Sequence, residues 1–282
     1  MSLLGAWLDG APLSALPPTL RAAHYGDGVF RTLRRDAGHI ALQTRHVARL
    51  CSDAAAIGIP LAAGTLEQAL AQPALPEDAA LKICVWRGGG GRGYRPDPAA
   101  APHIAVYAYA LPEHPAAHWT QGVEIVRLAA TLSRAPRLAG IKHCNRLDQV
   151  LAAQELAAAG AVEGLCSDGD GNFVCGTRSN VFARVDGVLY TPPIVDCGIR
   201  GVMRERLCEL AEGRGIAVRE SPFNEGLLAR ADAMMLSNSL IGVWPVARLD
   251  GQALPGSAGL ARALLQALGP PFFRENAPAC VS

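Results

Sequence analysis

Leu138-Ala139-Gly140-Ile141-Lys142-His143-Cys144-Asn145-Arg146-Leu147 holds one of only two lysines in a chain whose basic residues number 26. The abundance of Ala and Arg points to a coding bias that favours Arg wherever only charge is needed. A lysine that survives such a bias is a candidate for amine chemistry, because a guanidinium stays protonated and is a poor nucleophile. The other lysine, Lys82, lies within the apolar strand run 81–86. Lys142 follows a glycine and precedes a helical run, which sets it at a strand-to-helix junction. On the residues alone two readings stay open: a solvated loop lysine, or an amine poised for reaction.

Outward from this stretch the chain alternates between strand and helix patterns of an α+β protein. Residues 3–9 read as a short strand ending in an Asp-Gly turn. Residues 29–35 and 39–42 read as strands around the hairpin signal Asp36-Ala37-Gly38. Thr44 is expected to cap a helix with apolar Val47, Leu50, Cys51, Ala54 and Ala55, ended by Gly58. Strands 81–86 and 104–110 flank a glycine-rich loop. Pro112-Glu113-His114-Pro115 marks a linker, dividing the chain into a smaller domain at 1–111, a linker at 112–118 and a larger domain at 119–282. In the latter, strands are expected at 123–128, 164–167, 181–184, 188–191, 234–236 and 243–247. Helices are expected at 146–159, 202–212 and 260–268.

Composition narrows the function classes. Half of the 282 residues are hydrophobic, so a sizeable core is available, and the net charge of +1 gives no electrostatic case for nucleic acid or a membrane surface. No apolar run approaches the ~20 residues of a bilayer span, and the first nine residues lack the pattern of a secretory signal. The eight cysteines form no CxxC pair and read as reduced thiols of a cytoplasmic protein, with no clustered zinc ligands.

Two further segments could carry chemistry. In Trp86-Arg87-Gly88-Gly89-Gly90-Gly91-Arg92-Gly93-Tyr94 the glycines allow close backbone approach and Arg92 could hold a carboxylate bidentately. The same stretch could equally be a surface loop between strands. Ile199-Arg200-Gly201-Val202-Met203-Arg204 opens a helix, whose free N–H groups suit a phosphate, although most helix starts bind nothing.

Four segments taken together carry a resemblance. They are His24-Tyr25-Gly26-Asp27-Gly28-Val29-Phe30, His46-Val47-Ala48-Arg49-Leu50, the Lys142 stretch, and residues 176–182 followed by Thr191-Pro192-Pro193 and Gly201-Val202-Met203-Arg204. In this order and spacing they resemble the class IV aminotransferase family of pyridoxal-phosphate enzymes. The resemblance implies a two-domain, D-amino-acid-aminotransferase-like fold with the cofactor in the interdomain cleft, and a homodimer. It implies that Lys142 forms the Schiff base and acts as general acid and base. Arg49, the N–H groups of Val202 and Met203, and Asn238 with Ser239 would hold the cofactor phosphate. Arg92 and Tyr94 would bind substrate, and Tyr25 and Phe30 would line the pocket.

Residues 140–147, residues 87–94 and Asn238-Ser239-Leu240 are similar to a lyase branch of the family, which releases pyruvate and 4-aminobenzoate for folate synthesis. The alternatives are an aminotransferase of branched-chain or D-amino acids, and a binding protein that kept the fold without the chemistry. Two positions depart from the pattern. Cys175 stands where the family has a glutamate that pairs with the pyridine nitrogen, which makes the ring a weaker electron sink. Arg31 stands where an acidic residue is usual.

Overall fold

The computed structural model describes residues 2–89 and 93–273. It divides into two compact units, one of Met1–Glu113 with Ile141–Arg146, the other of His114–Gly140 with Leu147–Ser282. The short segment that carries Lys142 therefore groups with the first unit. This corrects the expected division, which placed all of 119–282 in one domain, and its cause is a backbone ladder described below. Residues 114–118, expected as linker, group with the second unit.

The first unit is built on β1 (Leu3–Leu8), β2 (Ala11–Pro12), β3 (Gly28–Asp36), β4 (His39–Ile40), β5 (Ala79–Trp86) and β6 (His103–Tyr109). They form one sheet in the order β2-β1-β6-β5-β3-β4, with antiparallel pairing throughout. Its helices are α1 (Arg21–Tyr25), α2 (Gln43–Ala56) and α3 (Ala63–Leu70). Strand alternation sends Val29, Leu33, Leu81, Ile83 and Val85 into a core with Val47, Leu50 and Ala54 of α2. Leu50 is 1% exposed, so truncation to Ala should cost about 2–5 kcal/mol. The cap expected at Thr44 is absent: α2 starts at Gln43 with Leu42 as N-cap at φ 55 and no side-chain cap. The chain passes from Ile40 to the helix in two residues, which leaves Thr44 inside the first turn.

The second unit contains α4 (Ala117–Thr120), β7 (Val123–Thr131), α5 (Leu147–Ala159), β8 (Glu163–Ser167), β9 (Phe173–Gly176), β10 (Asn180–Val185), β11 (Val188–Thr191), α6 (Val202–Glu212), β12 (Val218–Glu220), α7 (Glu225–Leu228), β13 (Ala233–Asn238), β14 (Gly242–Leu249), β15 (Gln252–Ala253) and α8 (Ser257–Leu268). The sheet runs β12-β11-β10-β13-β14-β7-β8-β9, with β15 on β14. Its pairs β11·β12, β14·β7 and β7·β8 are parallel. Burial follows the strands: Val181, Ala183, Met234, Leu236, Trp244 and Val246 share one core. Among the described residues no helix is long and apolar enough to cross a membrane, and no group of three or more His, Cys, Asp or Glu could hold a metal ion.

Candidate active site

Neighbouring residues of β3 point to opposite faces of the sheet. Val29, Arg31 and Leu33 face α2. Phe30 faces a smaller apolar cluster with Cys84, Trp86, Tyr107 and Cys144. The edge of β3 at this end is completed by the Lys142 segment. Phe30 N–H donates to the carbonyl of Lys142 at 2.9 Å, Cys144 N–H donates to the carbonyl of Gly28 at 2.9 Å, and Val29 bridges His143. Lys142 thus lies in a short backbone ladder; the helix it was expected to precede begins at Leu147. Gly26 explains why the segment fits so closely. At φ 63, a Cβ there would be strained and would come within 2.2 Å of Asn145 Oδ1, so a larger residue would displace the Asn145 side chain.

The Lys142 side chain leans over Phe30, with Nζ 4.9 Å from the ring centroid. Its backbone N–H donates to Asp53 Oδ2 at 3.3 Å. That same oxygen accepts from the guanidinium of Arg31. Both partners of this ion pair are buried, Arg31 and Asp53 at 3% exposure each. This accounts for Arg31, which the sequence left without a partner: its counterion is on α2, 22 residues away.

On α2, His46, Arg49, Leu50 and Asp53 follow the spacing of one helix face. His46 is buried, and among the described residues neither ring nitrogen has a hydrogen-bond partner. Burial first, then the charges of Arg31 and Lys142, pushes it down to about 3, so the imidazole is neutral. Arg49 is half-buried one turn along.

At the start of the glycine-rich loop, Asp27 takes two arginines. Arg21 Nε meets Asp27 Oδ2 at 2.8 Å, and Arg87 Nε meets Asp27 Oδ1 and Oδ2 at 3.0 and 2.9 Å. Arg21 also donates to the carbonyls of Gly93 and Tyr94 at 2.9 and 3.1 Å, and Arg87 to those of Ile57 and Gly58. The rings of Tyr25 and Tyr94 lie 5.3 Å apart, and both are exposed. Arg92 lies outside the described residues.

In the second unit, the N-terminus of α6 has Gly201 as N-cap and no side-chain cap. Asn180 Nδ2 donates to the carbonyl of Ile199 at 2.9 Å, and a Cβ on Gly201 would come within 2.2 Å of Asn180 Oδ1. Glycine at 201 therefore lets the end of β10 seat against the helix start. Arg204 donates to Thr191 Oγ1 at 3.2 Å and to the carbonyl of Pro192 at 2.9 Å, tying the helix to β11. Val202 and Met203 are buried. Their uncapped N–H positions suit an anionic group at this end.

Two residues expected at the cofactor, Asn238 and Cys175, have these surroundings in this unit. The side chain of Asn238 serves its own turn. Oδ1 accepts from the N–H groups of Leu240 and Ile241 at 2.9 and 3.0 Å, and Nδ2 donates to the carbonyl of Arg178 at 3.3 Å. Ser239 follows in the same turn, half-buried. Cys175 is buried on β9, paired opposite Cys166, in an apolar cluster with Leu128, Val174, Ile194 and Cys197. Its surroundings are those of a core thiol.

Glu163 is a residue the sequence reading passed over. Buried at 1% exposure, it accepts from the N–H of Thr177 at 2.9 Å, from Ser179 Oγ at 3.0 Å and from Thr177 Oγ1. It fixes the turn that leads to Asn180. An acidic residue inside the apolar run at 162–166 was the available signal, since such a group stays buried only where donors meet it.

The chain belongs to the class IV aminotransferase family, whose model matches residues 28–249. The family uses pyridoxal phosphate, and the placement of Lys142 and the uncapped start of α6 fit an aldehyde and a phosphate respectively. The chain is 32% identical to an aminodeoxychorismate lyase of Vibrio harveyi, over 86% of this chain and 91% of that protein. The crystal structure of 4-amino-4-deoxychorismate lyase from Pseudomonas aeruginosa matches with TM-score 0.90 and 40% identity, covering 95% of this chain and all of that one. A putative branched-chain-amino-acid aminotransferase of Methanocaldococcus jannaschii is 30% identical over 82% of this chain and 81% of its own length.

Proposed function

We propose that the protein is a pyridoxal-phosphate-dependent 4-amino-4-deoxychorismate lyase, releasing pyruvate and 4-aminobenzoate. The observation that carries this reading is the 40% identity to a lyase of known structure along 95% of the chain. The aminotransferase reading has the support of a relative at 30% identity. It is the weaker reading, because the lyase of known structure matches at 40% identity and TM-score 0.90.

Lys142 is the residue that holds the cofactor. The bound cofactor supplies an electron sink for the carbon next to the substrate nitrogen. With the cofactor bound, the free amine of Lys142 would take the ring proton from that carbon. The C–O bond to the enolpyruvyl group breaks, the leaving enol gains a proton on carbon, and pyruvate departs. Aromatisation of the ring supplies much of the driving force. Arg49 and the N–H groups of Val202 and Met203 bind the phosphate. Tyr25 and Phe30 line the pocket, and Arg92 and Tyr94 contact substrate.

The working form is a cytoplasmic homodimer. Exposed Leu147, Val150 and Leu151 on α5 offer apolar surface for such an assembly; an active monomer in sedimentation would overturn it. The function is tested by measuring 4-aminobenzoate release against keto-acid-dependent amine transfer by the same preparation. Amine transfer without 4-aminobenzoate release would favour the aminotransferase. A colourless protein that takes up no pyridoxal phosphate would favour a binding protein.

A further inference from the structure

The second lysine of the chain is not a bystander in an apolar strand. Lys82 pairs with Thr32 on β3 and with Tyr107 on β6. Alternation therefore puts its side chain on the Phe30 face of the sheet, away from the α2 core. Its Nζ lies 4.7 Å from the centroid of Phe30, the same ring that carries Lys142 Nζ at 4.9 Å. The two amines are thus separated by no more than those two distances together.

Nothing anionic accounts for this ammonium. Among the described residues, no carboxylate and no hydrogen-bond acceptor meets Lys82, whose one direct contact of this kind is the ring. The thiols and the phenol around it carry no negative charge at neutral pH. Burial pushes the Cys84 thiol up to about 12 and the Tyr107 phenol up to about 12, and it raises Cys144 as well. Asp27, near Cys144, is taken by Arg21 and Arg87. A half-buried ammonium on an aromatic face, with its donors unfilled, is poorly solvated and presents a ready site for an anion.

We propose that Lys82 binds a carboxylate of the substrate, one set across the ring from the amino group that reacts at Lys142. This rests on the reading of Lys142 as the reacting amine. The substrate proposed above has its amine and its ring carboxylate at opposite ends of one six-membered ring, and a second carboxylate on the enolpyruvyl group. Two carboxylates call for two contacts, and Lys82 supplies one of them. Such a site selects cyclic amino acids with a remote carboxylate over ordinary α-amino acids.

The test compares 4-aminobenzoate with 4-aminobenzamide, which differ only in the carboxylate. Their affinities for the cofactor-loaded protein are measured by calorimetry for wild type, Lys82→Met and Lys82→Arg. Wild type should prefer the acid by roughly 10-fold or more, the Met variant should lose that preference, and the Arg variant should keep most of it. In turnover, Lys82→Met should raise KM for 4-amino-4-deoxychorismate by roughly 10- to 100-fold with kcat little changed. Lys82→Gln serves the same purpose if the Met variant does not fold. No preference in wild type, or the same preference in the Met or Gln variant, would overturn the assignment. If wild type prefers the acid through Lys82 but releases no 4-aminobenzoate, the lyase reading fails and the carboxylate site stands. If 4-aminobenzoate is released with unchanged KM and preference in the variant, the site fails and the lyase reading stands.

Discussion

The backbone N–H of Lys142 and the carboxylate of Asp53 are joined at 3.3 Å, through the same oxygen that neutralises Arg31. The position of the lysine is therefore fixed by its main chain, leaving its side chain to act. Breaking one side of a buried pair leaves the other charge without its counterion. Asp53→Asn should lower unfolding free energy by about 3–5 kcal/mol, and Arg31→Met combined with Asp53→Leu should recover most of the loss. Denaturant unfolding of the single and double variants measures the coupling. Additive losses in the double variant would show that the pair does not act as a unit.

His46 should make the protein sensitive to acid. Its folded-state value is pushed down to about 3 from 6.5 by burial and by the charges of Arg31 and Lys142. The unfolded chain takes up a proton near pH 6.5 that the folded chain refuses. Stability from this group is complete above pH 6.5 and is lost as pH falls toward 3, by up to about 1.4 kcal/mol per pH unit. His46→Leu should flatten this part of the acid limb. The check is the difference in unfolding free energy between about pH 7.5 and about pH 5, which should shrink in the variant.

Cys175 packs among apolar side chains on β9. Placing a carboxylate there buries a charge among apolar side chains. Cys175→Glu should lower Tm markedly and give no faster reaction with amino acids, whereas Cys175→Ala should be milder. A stable Glu variant with faster amine transfer would show that position 175 reaches the cofactor ring.

Borohydride reduction of the cofactor-loaded protein followed by peptide mapping should place the label on Lys142. Lys142→Ala should abolish both the label and turnover. A label on Lys82 would reverse the roles assigned to the two lysines.

Some of this was written plainly in the chain. The hairpin at Asp36-Ala37-Gly38, the helix at Val202–Glu212 and the scarcity of lysine follow from local rules of turn chemistry, periodicity and composition. Other features depend on partners far away in sequence. Arg31 has meaning only with Asp53, and Glu163 only with the turn at residues 177–179. The Lys142 segment joins the first unit through hydrogen bonds to Gly28 and Phe30 that no local pattern encodes. Lys82 looked like an apolar-strand residue because one-dimensional reading does not say which face of a sheet is covered. Scarcity marks both lysines alike, and β-strand alternation decides where the second one points.

The clasp of Asp27 on Arg21 and Arg87 bears on how this protein could change. One arginine grips the carbonyls of Gly93 and Tyr94, and the other starts the same loop while holding the end of α2. Both stems of the loop are thus secured by side chains that lie outside the stretch between them. Variation at 89–92 should be nearly neutral for the scaffold and visible mainly in which substrates are accepted. A library randomised there, with Asp27, Arg21 and Arg87 kept, should retain soluble, cofactor-binding members at high frequency. The same library built on Asp27→Ala should not, which makes the clasp a source of evolvability.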